Sequence, residues 1–477
     1  MKRITLLLIT VLIIAGCSKE GSEDRNTPVA KQLTIFFIND QHGQIDNFAK
    51  VKHIVESERQ KNNVVVACSG DLFSGNPIVD NHPEKGYPMI DLMNLAGFDI
   101  IAIGNHEFDY GLEALKARMV QAEFGWVCAN VDMGDTGVPQ PPPFLTVTSG
   151  DIRATFLGLV ETNGKENDVI PSTHPWKLEG ITFEKPEDVI AQYAGIKEQE
   201  NADLFIVLSH LGYNYDYGPL GDFQLAGQFP CFDLIIGGHS HQTINTVVNG
   251  IPVFQAGSYL NYLGKIEISV KEREVESIDY DLINLNSYSE IDEGIKTIID
   301  EYNDSPELNE VIGYSHRNHG RSQVGCFYTD ALRAKLDVDV VFQNTGGIRA
   351  GLDEGDITRR EIFEISPFNN GLVVFEMAVS DIKTFLFSSG AGFYYSGISL
   401  EKENDYYILV KGPGGNLIPD NEILTVGVND YIAAVHDVYF PDSGAVQPMA
   451  DAEAIISYLE EINSEVDYEY CENYFRY

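Results

Sequence analysis

The chain has 477 residues, 44% apolar and 22% charged, the composition of a soluble globular protein long enough for two domains. Its 72 acidic residues against 32 basic ones give a formal net charge of −40, which argues against a nucleic-acid polymer as partner because like charges repel. Small phosphorylated substrates remain compatible with this charge if bound metals and a few arginines reverse the local potential.

The N-terminus has the features of a targeting segment. Two basic residues precede the apolar stretch Ile4–Gly16, which is too short to span a bilayer comfortably. The stretch ends in Ile14-Ala15-Gly16-Cys17, which resembles the lipobox of bacterial lipoprotein signal peptides. The resemblance implies cleavage before Cys17 and lipid attachment to it, with 1–17 as signal peptide and 18–31 as a flexible tether. We expect an exported protein anchored in the bacterial cell envelope; a plain signal peptide with an incidental cysteine is the alternative.

From residue 32 onward, short apolar runs alternate with helical patterns, which predicts an α/β fold. The predicted strands are Leu33–Ile38, Val64–Ala67, Ile100–Ile103, Trp126–Ala129, Ala154–Leu159, Leu204–Leu208 and Leu234–Ile236. The predicted helices between them are Phe48–Arg59, Pro88–Ala96, Gly111–Ala122 and Pro186–Glu200. In such sheets the functional residues follow the carboxyl ends of strands.

A second unit begins after Asn284. The stretch Glu290–Asp304 has helical spacing and is long enough to bridge two domains. Strand-like runs follow at Val338–Phe342, Leu372–Val374 and Ile423–Val428. We therefore predict a first domain over 32–288, a linker helix over 289–303 and a second domain over 304–477.

The cysteines do not form a recognisable framework. With Cys17 assigned to lipid, an odd number remains without CxxC spacing: Cys68, Cys128, Cys231, Cys326 and Cys471. Cys68 and Cys128 lie in strand-like runs and are predicted to be buried thiols. The pattern predicts no essential disulfide and no thiolate metal site.

Short polar signatures directly follow five of the predicted strands. Their side chains are carboxylates, an amide and imidazoles, the ligands of hard or borderline divalent cations. The candidate ligands are Asp40, His42, Asp71, Asn105, His210, His239 and His241. Two cations a few ångström apart need a shared carboxylate, and Asp71 is the obvious bridge. The sequence therefore predicts a hydrolase with two divalent metal ions as cofactors, Zn²⁺, Mn²⁺ or similar.

In this order the signatures resemble those of the calcineurin-like metallophosphoesterases, and Asn105-His106-Glu107-Phe108-Asp109 is similar to their 5′-nucleotidase branch. The resemblance implies a four-layer β-sandwich with flanking helices, followed by a second α/β substrate-binding domain. It implies one metal held by Asp40, His42, Asp71 and His241, and another held by Asp71, Asn105, His210 and His239.

The resemblance also assigns a catalytic pair beside the metals. His106 would stabilise charge on the phosphoryl group or leaving oxygen, and Asp109 would orient its imidazole. For Asp109 the alternative is an ordinary residue in the cap or first turn of a helix. The implied mechanism is in-line attack on phosphorus by a metal-bound water, without a covalent enzyme intermediate.

The resemblance continues into the second domain. Asn344-Thr345-Gly346-Gly347-Ile348-Arg349 and Ser366-Pro367-Phe368-Asn369-Asn370 resemble the family's substrate-binding blocks. They imply that Arg349, and less directly Arg321, bind phosphate, that Phe368 stacks on the base, and that Asn344 contacts base or ribose. Ordinary core packing is the alternative for Phe368.

One segment departs from the family pattern. Where the family has a glycine-rich turn before an aromatic residue, this chain has Val435-His436-Asp437-Val438-Tyr439. Read without gaps, Tyr439 takes the second stacking position, but the glycines that permit close backbone approach are missing. Phe393-Tyr394-Tyr395 offers other rings.

The sequence thus predicts hydrolysis of nucleoside 5′-monophosphates, with a small-molecule nucleotide as substrate. The alternatives are a nucleotide sugar, a 2′,3′-cyclic nucleotide or a thiosulfate ester on the same fold, a surface protein that binds nucleotides without catalysis, and a purely structural surface protein. The oligomeric state stays open.

Overall fold

The computed structural model describes residues 29–214, 220–404, 407–462 and 465–476. The predicted signal peptide, Cys17 and most of the predicted tether lie outside these ranges. Among the helices of the described ranges, none combines the length and the apolar character that a membrane crossing requires.

The N-terminal part of the chain builds two sheets and their covering helices. The strands are β1 Lys31–Ile38, β2 Val64–Cys68, β3 Ile100–Ala102, β4 Gly125–Val127, β5 Val131–Asp132, β6 Phe144–Ser149, β7 Ile152–Val160, β8 Thr182–Phe183, β9 Leu204–His210, β10 Leu234–Gly237, β11 Thr243–Val248, β12 Ile251–Ala256, β13 Tyr262–Lys271 and β14 Glu274–Asn284. The helices are α1 Phe48–Arg59, α2 Pro77–Asp80, α3 Tyr87–Ala96, α4 Leu112–Gln121, α5 Pro186–Val189, α6 Ile196–Gln199 and α7 Asp222–Gln228.

These elements pack as four layers. One sheet has the order β14-β13-β1-β2-β3-β4 and the other the order β11-β12-β10-β9-β7-β6. Their facing sides share one apolar core, which includes Phe37, Val65 and Ile206. Helices cover each outer side over a core of its own. Because neighbouring side chains on a strand point to opposite faces, a strand buried on both sides must be apolar throughout, as β2 (Val-Val-Val-Ala-Cys) is. The predicted α/β four-layer sandwich is confirmed.

One predicted helix is wrong. The stretch Pro186–Glu200 forms α5, a 3₁₀ turn over Ile190–Tyr193 and α6, rather than one continuous helix. Gly195 lies directly before α6 and has no side chain that could cap this helix. Glycine in a helix interior costs about 1 kcal/mol relative to alanine, so a continuous helix through Gly195 is disfavoured. The other predicted strands and helices are present, with ends shifted by up to two residues in this part of the chain and by up to four after Asn284.

The remainder of the chain forms the second α/β unit. Its helices are α8 Glu293–Asn303, α9 Arg321–Leu336, α10 Arg359–Ile365, α11 Val379–Ser388, α12 Asp430–Val435 and α13 Asp451–Ile462. Its strands are β15 Val311–Ser315, β16 Val340–Asn344, β17 Gly355–Thr358, β18 Gly371–Ala378, β19 Phe393–Ser396, β20 Ser399–Asn404, β21 Tyr407–Lys411, β22 Ile423–Asn429, β23 Ala445–Ala450, β24 Glu465–Val466 and β25 Tyr474–Phe475.

A six-stranded sheet of order β23-β18-β22-β16-β19-β25 organises this domain. Helices α9 and α13 share one apolar core with it, and α11 lies in a second core that includes Phe342 and Phe385. The carboxyl end of β16 leads into a 3₁₀ turn, Thr345–Gly347, and then to Arg349. This turn brings the predicted substrate block to the edge that faces the sandwich.

The connecting helix α8 packs on the first domain. Its Ile295 and Ile299 are buried in the same core as α1 and α3, and Asp292 caps it by accepting a hydrogen bond from the backbone N–H of Ile295. Because the apolar face of α8 is buried in the core of the first domain, we expect α8 to move together with the sandwich as one rigid unit.

The prediction of no essential disulfide does not fit the structure. Cys326 in α9 and Cys471 in the C-terminal segment form a disulfide between residues 145 positions apart in sequence. A bond this distant follows from the fold and leaves no local spacing signal. Cys68 and Cys128 are buried free thiols, as predicted.

Removing this disulfide with the double substitution Cys326→Ala/Cys471→Ala is expected to destabilise the second domain by about 2–4 kcal/mol, because the cross-link restricts the unfolded chain. Thermal unfolding with and without reductant measures the effect. Reductant should lower the midpoint of the wild-type protein and leave that of the double variant unchanged. Equal midpoints for both proteins without reductant would contradict the prediction.

Candidate metal centre and domain cleft

The seven predicted metal ligands meet at one edge of the sandwich. They follow, or in the case of His210 end, strands β1, β2, β3, β9 and β10, whose carboxyl ends converge there. Two groups form, each with ligand atoms within 4.8 Å of one another: Asp40, His42, Asp71 and His241, and Asp71, His210 and His239. The amide oxygen of Asn105 lies 3.0 Å from Nδ1 of His239 and 3.2 Å from Nε2 of His210. Asp71 is the member that both groups share.

Hydrogen bonds determine which ring nitrogen of His42 and of His210 faces the ligand cluster. Nδ1 of His42 donates to the carbonyl of Ser74 at 3.1 Å, and Nδ1 of His210 donates to that of Ser69 at 2.6 Å. Each bond commits one ring proton to the backbone and leaves the Nε2 lone pair for a cation. Nε2 of His42 lies 2.9 Å from Nε2 of His241, and Nε2 of His210 lies 3.0 Å from a carboxylate oxygen of Asp71. The donor set suits divalent cations.

The loops that carry these ligands have an uncommon backbone conformation. Five of the seven proposed ligands have positive φ, between 49° and 70°: Asp40, His42, Asp71, His239 and His241. Side-chain-bearing residues rarely adopt this left-handed region, which costs on the order of 1–3 kcal/mol per residue. Such backbone strain persists only where surrounding hydrogen bonds and packing hold the residue in this conformation.

Glu107 supplies much of that restraint. It is fully buried, and its carboxylate accepts hydrogen bonds from the backbone N–H groups of Asp71, Leu72 and Gly104, at 3.1, 2.7 and 2.5 Å. Burial, then the nearby charge of Asp71, raises the pKa of Glu107 to about 7. Nothing in the sequence separates Glu107 from an exposed acidic residue in a first helical turn.

Gly104 lies too close to the bridge residue to carry a side chain. A β-carbon added there would lie 2.4 Å from Oδ1 of Asp71 and 2.6 Å from its backbone nitrogen. We expect Gly104→Ala to displace Asp71 and to weaken metal binding by about 10–100-fold, the usual effect of disturbing a ligand's supports. Metal content after dialysis against a weak chelator measures this. Gly227→Ala, whose added β-carbon meets no atom within 4 Å, is the matched control; equal metal loss in both variants would contradict the prediction.

His106 and Asp109 form a hydrogen-bonded pair beside the shared aspartate. Nδ1 of His106 donates to Oδ2 of Asp109 at 2.6 Å, while its backbone N–H donates to Oδ1 of Asp71 at 2.9 Å. Burial lowers the pKa of His106, but the carboxylates of Asp109 and Asp71 outweigh it and leave that pKa above its ordinary value. Burial raises the pKa of Asp109, but His106 outweighs it and holds that pKa well below its usual range. The pair therefore favours an imidazolium next to an ionised carboxylate.

A cleft of about 190 Å³ separates this centre from the second domain. Phe368 stacks on His106, with ring centroids 5.5 Å apart and planes inclined by 17°. The guanidinium of Arg349 lies 5.7 Å from the Phe368 ring and 3.2 Å from Nε2 of His42. Asn344 also lines the cleft. Three of the predicted substrate-binding residues thus lie at the centre.

Arg321 and Tyr439 are placed differently from the prediction. Arg321 does not line the cleft but donates to the hydroxyl of Tyr259 at 2.9 Å, and the Tyr259 ring packs 5.4 Å from His42. Tyr439 packs 6.3 Å from Phe385 and lines a separate depression together with Glu376 and Met377 of β18. The predicted second stacking position for Tyr439 is therefore not at the cleft. The 3₁₀ turn Asp437–Tyr439, after α12, places its ring against Phe385.

Four cleft residues are not predicted from the sequence: Ser172, Thr173, His174 and Tyr431. Tyr431 stands in the first turn of α12, which Asn429 caps by accepting a hydrogen bond from the backbone N–H of Ile432. Asparagine is a typical N-cap residue, so Asn429-Asp430-Tyr431 is compatible with a helix start that places Tyr431 in the first turn. Thr173 and His174 lie in an irregular loop without periodicity.

Two clusters of metal-ligating side chains that share one carboxylate, on a four-layer sandwich, define a metal-dependent hydrolase. Comparison with known families agrees with this class. Residues 33–243 match the model for calcineurin-like phosphoesterase, and residues 307–442 match that for the 5′-nucleotidase C-terminal domain. The chain belongs to the calcineurin-like phosphoesterases that carry a 5′-nucleotidase C-terminal domain, a family of metal-dependent phosphoester hydrolases.

Individual relatives are distant. The trifunctional nucleotide phosphoesterase protein YfkN of Bacillus subtilis is 27% identical over 85% of this chain, which spans only 32% of that protein. A 5′-nucleotidase of Vibrio parahaemolyticus is 24% identical, with 82% of each chain covered. The crystal structure of a 5′-nucleotidase precursor from Thermus thermophilus superposes with a TM-score of 0.80 at 22% identity, over 91% of this chain and 97% of the other. The structural likeness establishes the fold.

Proposed function

We propose that this protein hydrolyses the phosphate ester of nucleoside 5′-monophosphates with two divalent metal ions. The observation that carries the proposal is the sharing of Asp71 between two groups of metal-ligating atoms. Arg349 and Phe368 on the opposite side of the same cleft add a cation and an aromatic ring within reach of one small phosphorylated ligand.

The proposed metals match the side chains available. Asp40, His42, Asp71 and His241 would hold one ion, and Asp71, Asn105, His210 and His239 the other. When bound, such ions neutralise phosphate oxygens and lower the pKa of a water. With His210 bound to the ion as a neutral imidazole, the ions themselves would keep the shared Asp71 carboxylate ionised, because a cation beside a carboxylate favours its charged form.

His106 would support the leaving group. Its Nδ1 proton is committed to Asp109, so its Nε2 proton remains available for the oxygen that departs from phosphorus. Arg349 suits a terminal phosphate because its planar guanidinium can donate two parallel hydrogen bonds. We assign base stacking to Phe368 and a contact with the base or ribose to Asn344.

Substrate entry would require the domains to separate. Ligand pockets usually enclose about 300–1,000 Å³, whereas the cleft encloses about 190 Å³ with Phe368 resting on His106. Since α8 is packed into the sandwich core, we place the hinge after its end, in residues 304–310, rather than within the helix itself. The linker over 289–303 and the two domain boundaries remain part of this proposal.

We also propose that the protein is exported and lipid-anchored at Cys17, because the segment Ile14-Ala15-Gly16-Cys17 resembles a lipobox. The Cys326–Cys471 disulfide supports export because disulfides persist in oxidising compartments and are rare in the cytosol. Cys17 lies outside the described residues, so the anchor rests on the sequence.

A second candidate keeps the fold and changes the ester. With Tyr439 outside the cleft, Phe368 is the one predicted stacking ring that remains there, and a clamp of two rings would need Tyr431, which the resemblance does not assign to stacking. A thiosulfate ester carries no nucleoside and needs no such clamp. A nucleotide sugar or a 2′,3′-cyclic nucleotide carries the same nucleoside and would differ in the ester alone. Among the described residues the complete ligand set disfavours binding without catalysis.

The discriminating experiment is phosphate release by the purified protein with added Mn²⁺ or Zn²⁺. The substrates are nucleoside 5′-monophosphates, a nucleotide sugar, 2′,3′-cyclic nucleotides and an aryl phosphate, with a separate thiosulfate-ester assay. Preference for nucleoside monophosphates supports the proposal. Turnover of aryl phosphate alone would keep the metal centre and discard the nucleoside pocket. No turnover with metals demonstrably bound would overturn the proposal.

A further inference from the structure

Three consecutive residues, Ser172, Thr173 and His174, each contact a different part of the site. The carbonyl of Ser172 accepts a hydrogen bond from the side-chain amide of Asn105 at 3.0 Å. The hydroxyl of Thr173 donates to Oδ1 of Asp109 at 2.7 Å. We call 172–174 the bridging segment.

The first two contacts fix the orientation of catalytic side chains. With its amide nitrogen donating to Ser172, Asn105 turns its oxygen toward His210 and His239, where a cation would bind. One carboxylate oxygen of Asp109 accepts a hydrogen bond from His106, and the other accepts one from Thr173. The Thr173 hydroxyl therefore sets the rotation of the carboxylate that holds His106.

The third contact crosses to the second domain. Nε2 of His174 donates to the amide oxygen of Asn370 at 2.7 Å. The amide of Asn370 is oriented by Asp451, whose carboxylate accepts from its nitrogen at 3.2 Å. The His174 ring also packs 5.4 Å from Tyr431 in α12. Burial lowers the pKa of His174 to about 4, so the ring is neutral and donates through Nε2 alone.

The bridging segment is itself fixed to the sandwich. The buried carboxylate of Glu161, just after β7, accepts hydrogen bonds from the backbone N–H groups of Ser172 at 2.5 Å and Asn163 at 2.7 Å. The backbone N–H of Glu161 in turn donates to the carbonyl of His210 at 3.0 Å. Thr173 and His174 are 2% and 4% exposed, which leaves them little freedom to move independently.

We propose that the bridging segment is a positioning device that orients Asp109, and through it His106, when the second domain closes. This inference rests on the proposed function. Asn370 stands two residues after Phe368, so the movement that brings Phe368 onto His106 also brings Asn370 to His174. In the open arrangement His174 lacks this acceptor and the segment loses its restraint from the second domain. Alignment of the His106–Asp109 pair is thus tied to closure.

The test is a double-mutant cycle between Thr173→Val and Asn370→Ala, with kcat, KM and metal content measured on the best nucleoside monophosphate. Thr173→Val should lower kcat by about tenfold or more, the usual effect of losing a hydrogen bond to a charged group, and Asn370→Ala, which removes a hydrogen bond between neutral groups, by about three- to tenfold. Metal content should stay unchanged and KM should change by less than about threefold. The double variant should be no slower than the slower single variant, because both substitutions break one unit.

Conservative variants separate positioning from a loss of packing. Thr173→Ser restores the hydroxyl and His174→Gln restores a donor toward Asn370, so each should recover most of the kcat lost in Thr173→Val and His174→Ala respectively. Thr148→Val, at an exposed position of β6, is the control for the chemical change. Thermal midpoints of all variants identify any that fail to fold.

Two outcomes would overturn the inference. Multiplicative effects of Thr173→Val and Asn370→Ala on kcat would mean that the two contacts act separately. A rise in KM with kcat unchanged in either single variant would mean that the residue binds substrate and positions nothing. If the wild-type protein releases no phosphate from any nucleotide while metals are bound, the proposed function fails and this inference fails with it. Turnover by the wild-type protein with multiplicative effects rejects the inference alone.

Discussion

Asp71→Asn is expected to lower phosphate release on the order of 10⁴-fold or more, the scale seen when a central catalytic group is removed. Asparagine keeps the size of the side chain but carries no negative charge. Asp71 is the member common to both ligand groups, so a neutral amide leaves the repulsion between two cations unopposed. Metal content should fall from two ions per chain to one or fewer.

Inductively coupled plasma mass spectrometry and a phosphate-release assay measure the two effects on the same preparation. Asp279→Asn makes the same chemical change at an exposed position of β14 and should leave both quantities unchanged. If Asp71→Asn keeps two tightly bound ions, or turns over substrate within tenfold of the wild-type rate, Asp71 does not bridge the metals.

His106→Ala is expected to lower kcat by about 10²–10⁴-fold, the contribution usual for a positioned acid or base. In contrast to Asp71→Asn, it should leave metal content unchanged, because the proposed ligands are other side chains. Its ring lies against Phe368 and its Nδ1 is committed to Asp109, so removal deletes the proton donor without exposing the ligand clusters.

The matched control is His316→Ala, which removes an imidazole from an exposed surface pair with Glu465. It should change neither turnover nor metal content. Loss of a metal ion in His106→Ala would identify His106 as a ligand and would require a different assignment of the centre. If the kcat of His106→Ala equals that of the wild-type protein, the His106–Asp109 pair takes no part in the reaction.

The convergence of the proposed ligands was predictable because it depends on a general property of α/β sheets. Residues after the carboxyl ends of neighbouring strands meet at one edge, so Asp40, Asp71 and Asn105 could be grouped from strand positions alone. The two-residue spacings of Asp40 with His42 and of His239 with His241 reach the same edge through residues with positive φ. That conformation carries no pattern in the sequence.

The features missed by the sequence depend on tertiary structure. The Cys326–Cys471 bond joins residues 145 positions apart, and Glu107 differs from an exposed glutamate only through the backbone groups around it. An ungapped reading across Val435–Val438 predicts Tyr439 at the cleft, whereas a 3₁₀ turn places its ring against Phe385. Side-chain direction after an irregular turn does not follow from residue count.

The most direct test is steady-state phosphate release from a nucleoside 5′-monophosphate by the metal-reconstituted wild-type protein, with bound metal counted in the same sample. Two ions per chain, with a kcat/KM well above that for an aryl phosphate, are the predicted result. Two bound ions without phosphate release from the nucleotide would contradict a nucleotide phosphoesterase, and turnover with no bound metal would contradict the metal centre.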